Sequence, residues 1–178
     1  MENQWCIMNL KDKILRRRLR SKNAYAHYQN YISSKNDAYA LSFVDLLHVK
    51  NYLGSKSTLT EPPLSCAEKL LNYEEQLRGC AQDEAFSLSL KILDQADYLR
   101  VRKRIIEFST LPLKPQFLIA GFGCPASLTL LHFYFPKLVP LIDRGAVNRK
   151  IYGEIKTNRY GEISDPRAAF GKIIGTYR

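Results

Sequence analysis

The stretch Phe117-Leu118-Ile119-Ala120-Gly121-Phe122-Gly123-Cys124-Pro125, with the apolar run that follows it to Phe135, constrains this chain more than any other feature. Two glycines separated by one apolar residue permit a tight turn with positive φ and the close approach of another backbone. Pro125 suits the first turn of a following helix, where a missing N–H costs nothing. Residues from Pro125 to about Phe135 read as a core helix, and another helix is expected before the turn. Exposed N–H groups at such a helix start, aided by the helix dipole, receive a phosphate oxygen without reading bases. On this ground Ala120, Gly121, Phe122, Gly123 and Ser127 are candidate DNA-binding residues. A GxG turn also caps helices that do nothing else, and that reading stays open.

The rest of the chain reads as almost wholly helical. Helices are expected near residues 7–20, 21–32 and 36–52, the last with Ala40, Phe43, Val44, Leu47 and His48 on one side. Residues 53–63 are a turn-rich connection in which Pro62-Pro63 blocks a helix. Further helices are expected from Ser65 to about Gly79, over 83–94 with Phe86, Leu90 and Leu93 as a core stripe, and over 95–109 with Tyr98, Val101, Ile105 and Phe108 inward. Pro112 and Pro115 end that segment. Short helices are expected to about 152 and near 166–174, although the glycines beyond 152 leave strand or loop open there. Alternating runs are few, so the expected class is all-α.

Charge is unevenly placed. Residues 1–60 carry ten Lys/Arg against four Asp/Glu, residues 61–97 three against eight, and residues 98–178 fourteen against five. Two basic segments flanking an acidic one suggest a single positive face, and Arg16, Arg17 and Arg18 are candidate phosphate contacts. A merely solvated basic face is the alternative. No apolar run is long enough for a transmembrane helix, and the first twenty residues lack the apolar core of a secretory signal. Cys6, Cys66, Cys80 and Cys124 have no zinc-like spacing and read as reduced thiols. A cytoplasmic protein without a bound metal is expected.

Val139-Pro140-Leu141-Ile142-Asp143-Arg144 then places an acid after an apolar stretch, twenty residues beyond Gly123. A helix and a short return loop would bring Asp143 back beside the turn. Together these parts resemble the helix-hairpin-helix DNA glycosylases that carry a Gly/Pro-rich loop and an essential aspartate. The matching residues are Ile119, Gly121, Gly123, the helix from Pro125, and Pro140-Leu141-Ile142-Asp143. The resemblance covers roughly a sixth of the chain.

The resemblance implies two small helical lobes with a cleft between them. The middle lobe would span about 36–135 and hold the hairpin 117–135, while segments 1–35 and 136–178 would pack together as the second lobe. It implies that Asp143 is catalytic, stabilising the positive charge that develops on the sugar as an N-glycosidic bond breaks. Asp143 as the N-cap of a helix over 144–152 is the alternative. Relatives that form a Schiff base carry a lysine two residues after the second glycine. Here that position is Pro125, so base removal by water without strand cleavage is expected. No cysteine follows Cys124, so the iron–sulfur cluster of some relatives is not expected. Related hairpins also bind a monovalent cation through backbone carbonyls.

Thr129 and His132 share the Pro125 face of the helix and are base-pocket candidates. Tyr25, Tyr28 and Tyr31 make one helix face, and Tyr28 and Tyr31 are candidates for stacking on a flipped base. For all four, a core position is the alternative. The expected protein is a monomer that acts on double-stranded DNA, removing a damaged or modified base, with modified cytosines of phage DNA as one substrate class. A non-catalytic hairpin module, or a subunit of a repair or restriction complex, is the other reading.

Overall fold

The computed structural model describes residues 22–53, 58–140, 154–156 and 163–177. These are mostly helical, with no strand among them, only isolated bridge positions such as Ile119 with Phe122, so the all-α class holds. The helices are α1 (22–34), α2 (Phe43–Leu53), α3 (Pro63–Ala81), α4 (Gln95–Ser109), α5 (Cys124–Tyr134) and α6 (Pro166–Tyr177). The expected helices over 7–20 and 144–152 lie outside the described residues.

Buried side chains from α1 to α6 form one continuous core. At its centre is α5, whose Leu128, Leu130 and Leu131 are essentially inaccessible. Helix α4 packs chiefly against α5. It buries Tyr98, Val101, Ile105 and Phe108, the spacing predicted for it. Asp94 starts α4 by accepting the Asp97 N–H at 2.8 Å. On the other side α1 lies against α2 and α5, with Gln29 donating to the Phe133 carbonyl at 2.8 Å. The C-terminal α6 rests on α4 instead.

The sequence expectations for α2 and α3 are corrected. Helix α2 starts at Phe43 rather than near 36, because Ser42 and Asp45 form a capping box. The Asp45 carboxylate accepts the Ser42 N–H at 2.8 Å and its hydroxyl at 3.0 Å. This cap turns Asp45, Leu46 and Val49 inward and leaves Val44 and Leu47 exposed, the reverse of the predicted face for the last two. Helix α3 starts at Pro63, so the Pro62-Pro63 pair opens a helix instead of blocking one.

The segment 83–94 is not a helix. It makes a short 3-10 turn, Glu84–Ser87, capped by Asp83. Beyond the turn the Leu90 N–H donates to the Lys137 carbonyl at 3.2 Å, which diverts the backbone from helical bonding. Phe86, Leu90 and Leu93 are buried as predicted, on irregular backbone.

Asp45 is the most deeply buried charge described. Its side chain is wholly inaccessible, and it accepts from Tyr28 Oη at 2.8 Å and Lys35 Nζ at 2.6 Å. Lys35 also donates to the Ala40 carbonyl at 2.7 Å. Burial and the neighbouring Asp45 charge push the Tyr28 hydroxyl far above its ordinary value, so it stays a donor. This network joins α1, the loop after it and α2.

Candidate nucleic-acid interface

The hairpin is a four-residue turn with alternating directions. Ile119 and Phe122 point inward and are 1% exposed, while Ala120, Gly121 and Gly123 face solvent. The Phe122 N–H closes the turn on the Ile119 carbonyl at 2.9 Å. Burying Ile119 and Phe122 contributes about 1.5–3 kcal/mol each, which seats the turn. Tyr73 of α3 anchors it further, with its ring edge-on to Phe117, Phe122 and Phe108. The helix expected before the turn is only a 3-10 turn, Pro115–Phe117, because Pro112 and Pro115 interrupt the chain after α4.

The two glycines differ. Gly121 has φ +88°, and a Cβ there would lie 2.2 Å from the Thr58 carbonyl oxygen. It therefore supplies both the positive φ and the close approach expected of the pair. Gly123 has φ −91° and ψ −175°, ordinary extended backbone that precedes α5 as its N-cap. It offers α5 no side-chain cap, and Pro125 has no N–H to give. Among the described residues, the N–H groups of Gly121 and Gly123 have no hydrogen-bond partner, and the Cys124 N–H meets only its own thiol. The Ala120 N–H differs, donating to the Glu61 carboxylate at 3.1 Å.

Three further residues brace the tip from outside the motif. Lys50 of α2 donates to the Gly121 carbonyl at 2.8 Å, so an ammonium already sits on a hairpin carbonyl. The Thr60 N–H reaches the Ala120 carbonyl at 3.4 Å. The other carboxylate oxygen of Glu61 is held by Ser65 Oγ at 2.7 Å and by Lys69. Lys69 and Ser65 hold the Glu61 carboxyl well below its ordinary value, at about 2. None of Lys50, Glu61, Ser65 and Lys69 was expected from the sequence. Glu61, Ser65 and Lys69 are spaced by four, which puts them along one side of the α3 entry.

The other candidates fall in two groups. Asp143, Arg16, Arg17 and Arg18 lie outside the described residues. The remainder are turned inward. Ser127 is buried and donates to the Phe108 carbonyl at 2.8 Å, tying α5 to the end of α4. Thr129 is 1% exposed and donates back to Pro125 of its own helix at 2.8 Å. Tyr28 is inaccessible and bound to Asp45, and the half-buried Tyr31 shares a 3.0 Å hydrogen bond with Ser42. Phe122 presents only its backbone.

His132 is half-buried, 5.9 Å from the Tyr25 ring, with Nδ1 2.6 Å from the Val139 carbonyl. His132 thereby clamps the 135–139 segment back onto α5. Burial lowers the His132 pKa below the ordinary 6.5, with the Val139 carbonyl opposing. The ring is then neutral and donates its Nδ1 proton. With the folded value below the unfolded one, the unfolded chain takes up the proton first, so stability falls as pH drops through 6.5 toward the folded value. His48 is also lowered by burial. The expected result is a falling melting temperature between about pH 7.5 and 5.5, with a smaller fall in His132→Gln. An equal fall in both proteins would assign the dependence to other groups.

A pocket of about 320 Å³ lies at the C-terminal end of α5, lined by Tyr39, Phe86, Leu88, Tyr134 and Lys137 among others. None of the four base-pocket candidates lines it. Among the described residues, no cluster of His, Cys, Asp or Glu could hold a metal ion, and no helix is long and apolar enough to cross a membrane. Cys66, Cys80 and Cys124 are free and buried. Burial raises the Cys80 thiol to about 11, far from a reactive thiolate.

No family model, curated protein or solved structure matches this chain.

Proposed function

We propose that this chain is a monofunctional DNA glycosylase of the helix-hairpin-helix type. It binds double-stranded DNA through the outward amides of the hairpin, flips a damaged or modified base, and hydrolyses the N-glycosidic bond to leave an abasic site. Asp143 stabilises the sugar as positive charge develops and orients the attacking water. Pro125 stands where a Schiff-base lysine would, so the strand is left uncut. Modified cytosines of phage DNA are one substrate class this activity would serve. The protein acts in the cytoplasm as a monomer without an added cofactor.

The observation that carries the reading is the pair of amides of Gly121 and Gly123 at the head of α5, unpartnered among the described residues, on a turn whose Gly121 position requires glycine. Such a group of donors at a helix N-terminus suits a phosphate oxygen. His132 also holds Val139, four residues before Asp143, against α5, which is consistent with the reading.

One observation favours a second reading. The hydroxyls of Tyr28, Tyr31 and Thr129 are all committed to protein partners, which suits a DNA-binding module without a base pocket built from them.

Asp143→Asn separates the two. Wild type and variant are incubated with duplexes bearing alkylated, oxidised, mispaired and phage-type modified bases, then treated with alkali. The glycosylase reading expects cleavage by wild type that the variant loses by about two orders of magnitude or more while keeping DNA affinity. Duplex binding by both, with no abasic sites on any substrate, would favour the binding module.

A further inference from the structure

Three hydrogen-bond donors converge on one carboxylate beside the hairpin. They are the Ala120 N–H at 3.1 Å, Ser65 Oγ at 2.7 Å and the Lys69 ammonium. A backbone amide, a hydroxyl and an ammonium are the donors that bind a phosphate oxyanion in many proteins. Here the anion they hold is the chain's own Glu61. Ala120 is exposed, and Lys69 keeps 28% of its side chain in solvent. The donors thus stand at the surface, next to the Gly121 and Gly123 amides that have no partner among the described residues.

We infer that Ala120 N–H, Ser65 and Lys69 form a second phosphate subsite that Glu61 occupies in the free protein, and that a DNA backbone phosphate displaces Glu61. The inference rests on the DNA-binding reading of the hairpin. Glu61 follows the loop that carries Thr60 and precedes the rigid Pro62-Pro63 pair, so the exchange needs only a rotation of its side chain. Held in place, Glu61 lowers affinity for any duplex by setting a negative charge where a phosphate must sit. The consequence is a protein that engages DNA weakly until the neighbouring amides have already taken a phosphate.

The test is fluorescence anisotropy with a labelled duplex. Glu61→Gln keeps the size and an acceptor but removes the charge. The expected result is binding about three- to tenfold tighter than wild type, with a salt dependence steeper by about one phosphate contact. Adding Lys69→Gln to Glu61→Gln should remove that gain. Lys69→Gln alone leaves Glu61 in place and should weaken binding about threefold.

Equal or weaker binding by Glu61→Gln would make Glu61 a structural brace and overturn the inference, as would a gain that survives Lys69→Gln. A gain for inorganic phosphate without one for duplex would overturn the assignment to DNA. Failure of wild type to bind duplex at all would instead refute the hairpin reading beneath it.

Discussion

Gly121→Ala should be among the most damaging single-methyl changes in this protein. Its cost has two sources. A φ of +88° suits glycine, and holding another residue in such a sparsely populated region costs about 1–3 kcal/mol. The added methyl would also lie 2.2 Å from the Thr58 carbonyl oxygen and 3.2 Å from Leu59 Cα. Both are backbone atoms, so no side-chain rotation relieves the clash. The turn must move away from the 58–61 segment, which strains the Lys50, Thr60 and Glu61 contacts to the tip.

Urea unfolding should show a loss at or above the upper part of that range, with weaker duplex binding at temperatures where the variant remains folded. Gly123→Ala is the matched control. Its backbone is extended, and the nearest atom to a new Cβ is Pro125 Cδ at 3.9 Å. It should cost less than about 1 kcal/mol, the scale of an N-cap change. Equal losses from the two variants would mean that the turn does not depend on Gly121 in the way its geometry requires.

Asp45→Ala is the second large effect. The carboxylate is inaccessible and the Lys35 side chain is only 11% exposed. Removing the acid leaves a nearly buried ammonium with the Ala40 carbonyl as its remaining partner in the network, and Tyr28 without its acceptor. Breaking a buried pair from one side costs about 3–5 kcal/mol, mainly through the uncompensated charge. The α2 cap is lost in the same step.

Tyr28→Phe removes one hydrogen bond to the carboxylate and should cost about 1.5–3 kcal/mol. Denaturant unfolding of the two variants should therefore rank Asp45→Ala well below Tyr28→Phe. A loss under about 1 kcal/mol for Asp45→Ala would show that water or another group compensates Lys35. Functionally, α1 would loosen from α2, because Tyr28 ties it there, while the Gln29 tie to Phe133 of α5 remains.

What could be read in the sequence followed the range of the interaction. The core stripe of α4 was legible, since Tyr98, Val101, Ile105 and Phe108 recur at helical spacing and Asp94 caps the start. The tight turn at 119–122 and the helix after it were legible for the same local reason, although the special backbone belongs to Gly121 alone and the helix expected before the turn is a short 3-10 turn.

The face of α2 was misjudged because Asp45 looks like a surface charge until its partners Tyr28 and Lys35 are in place. Ser42-x-x-Asp45 did carry a signal, a capping box that both starts the helix and points the acid inward. Segment 83–94 has a helical apolar stripe, yet the Lys137 carbonyl claims the Leu90 amide from far along the chain. The Glu61 contact to Ala120 spans 59 positions, and no local pattern links the two. Thr129 and Ser127 look free on a helical wheel, but the Pro125 and Phe108 carbonyls take their hydroxyls.

The proposal on which the rest depends is that DNA phosphate docks on the turn amides left without a partner among the described residues. It is tested most directly by titrating ¹⁵N-labelled protein with a short undamaged duplex and following the backbone amides by NMR. The account predicts that Gly121 and Gly123 shift most among the described residues, that they shift together, and that added salt reverses the shifts. Binding that moves other amides and leaves these two unchanged would contradict it.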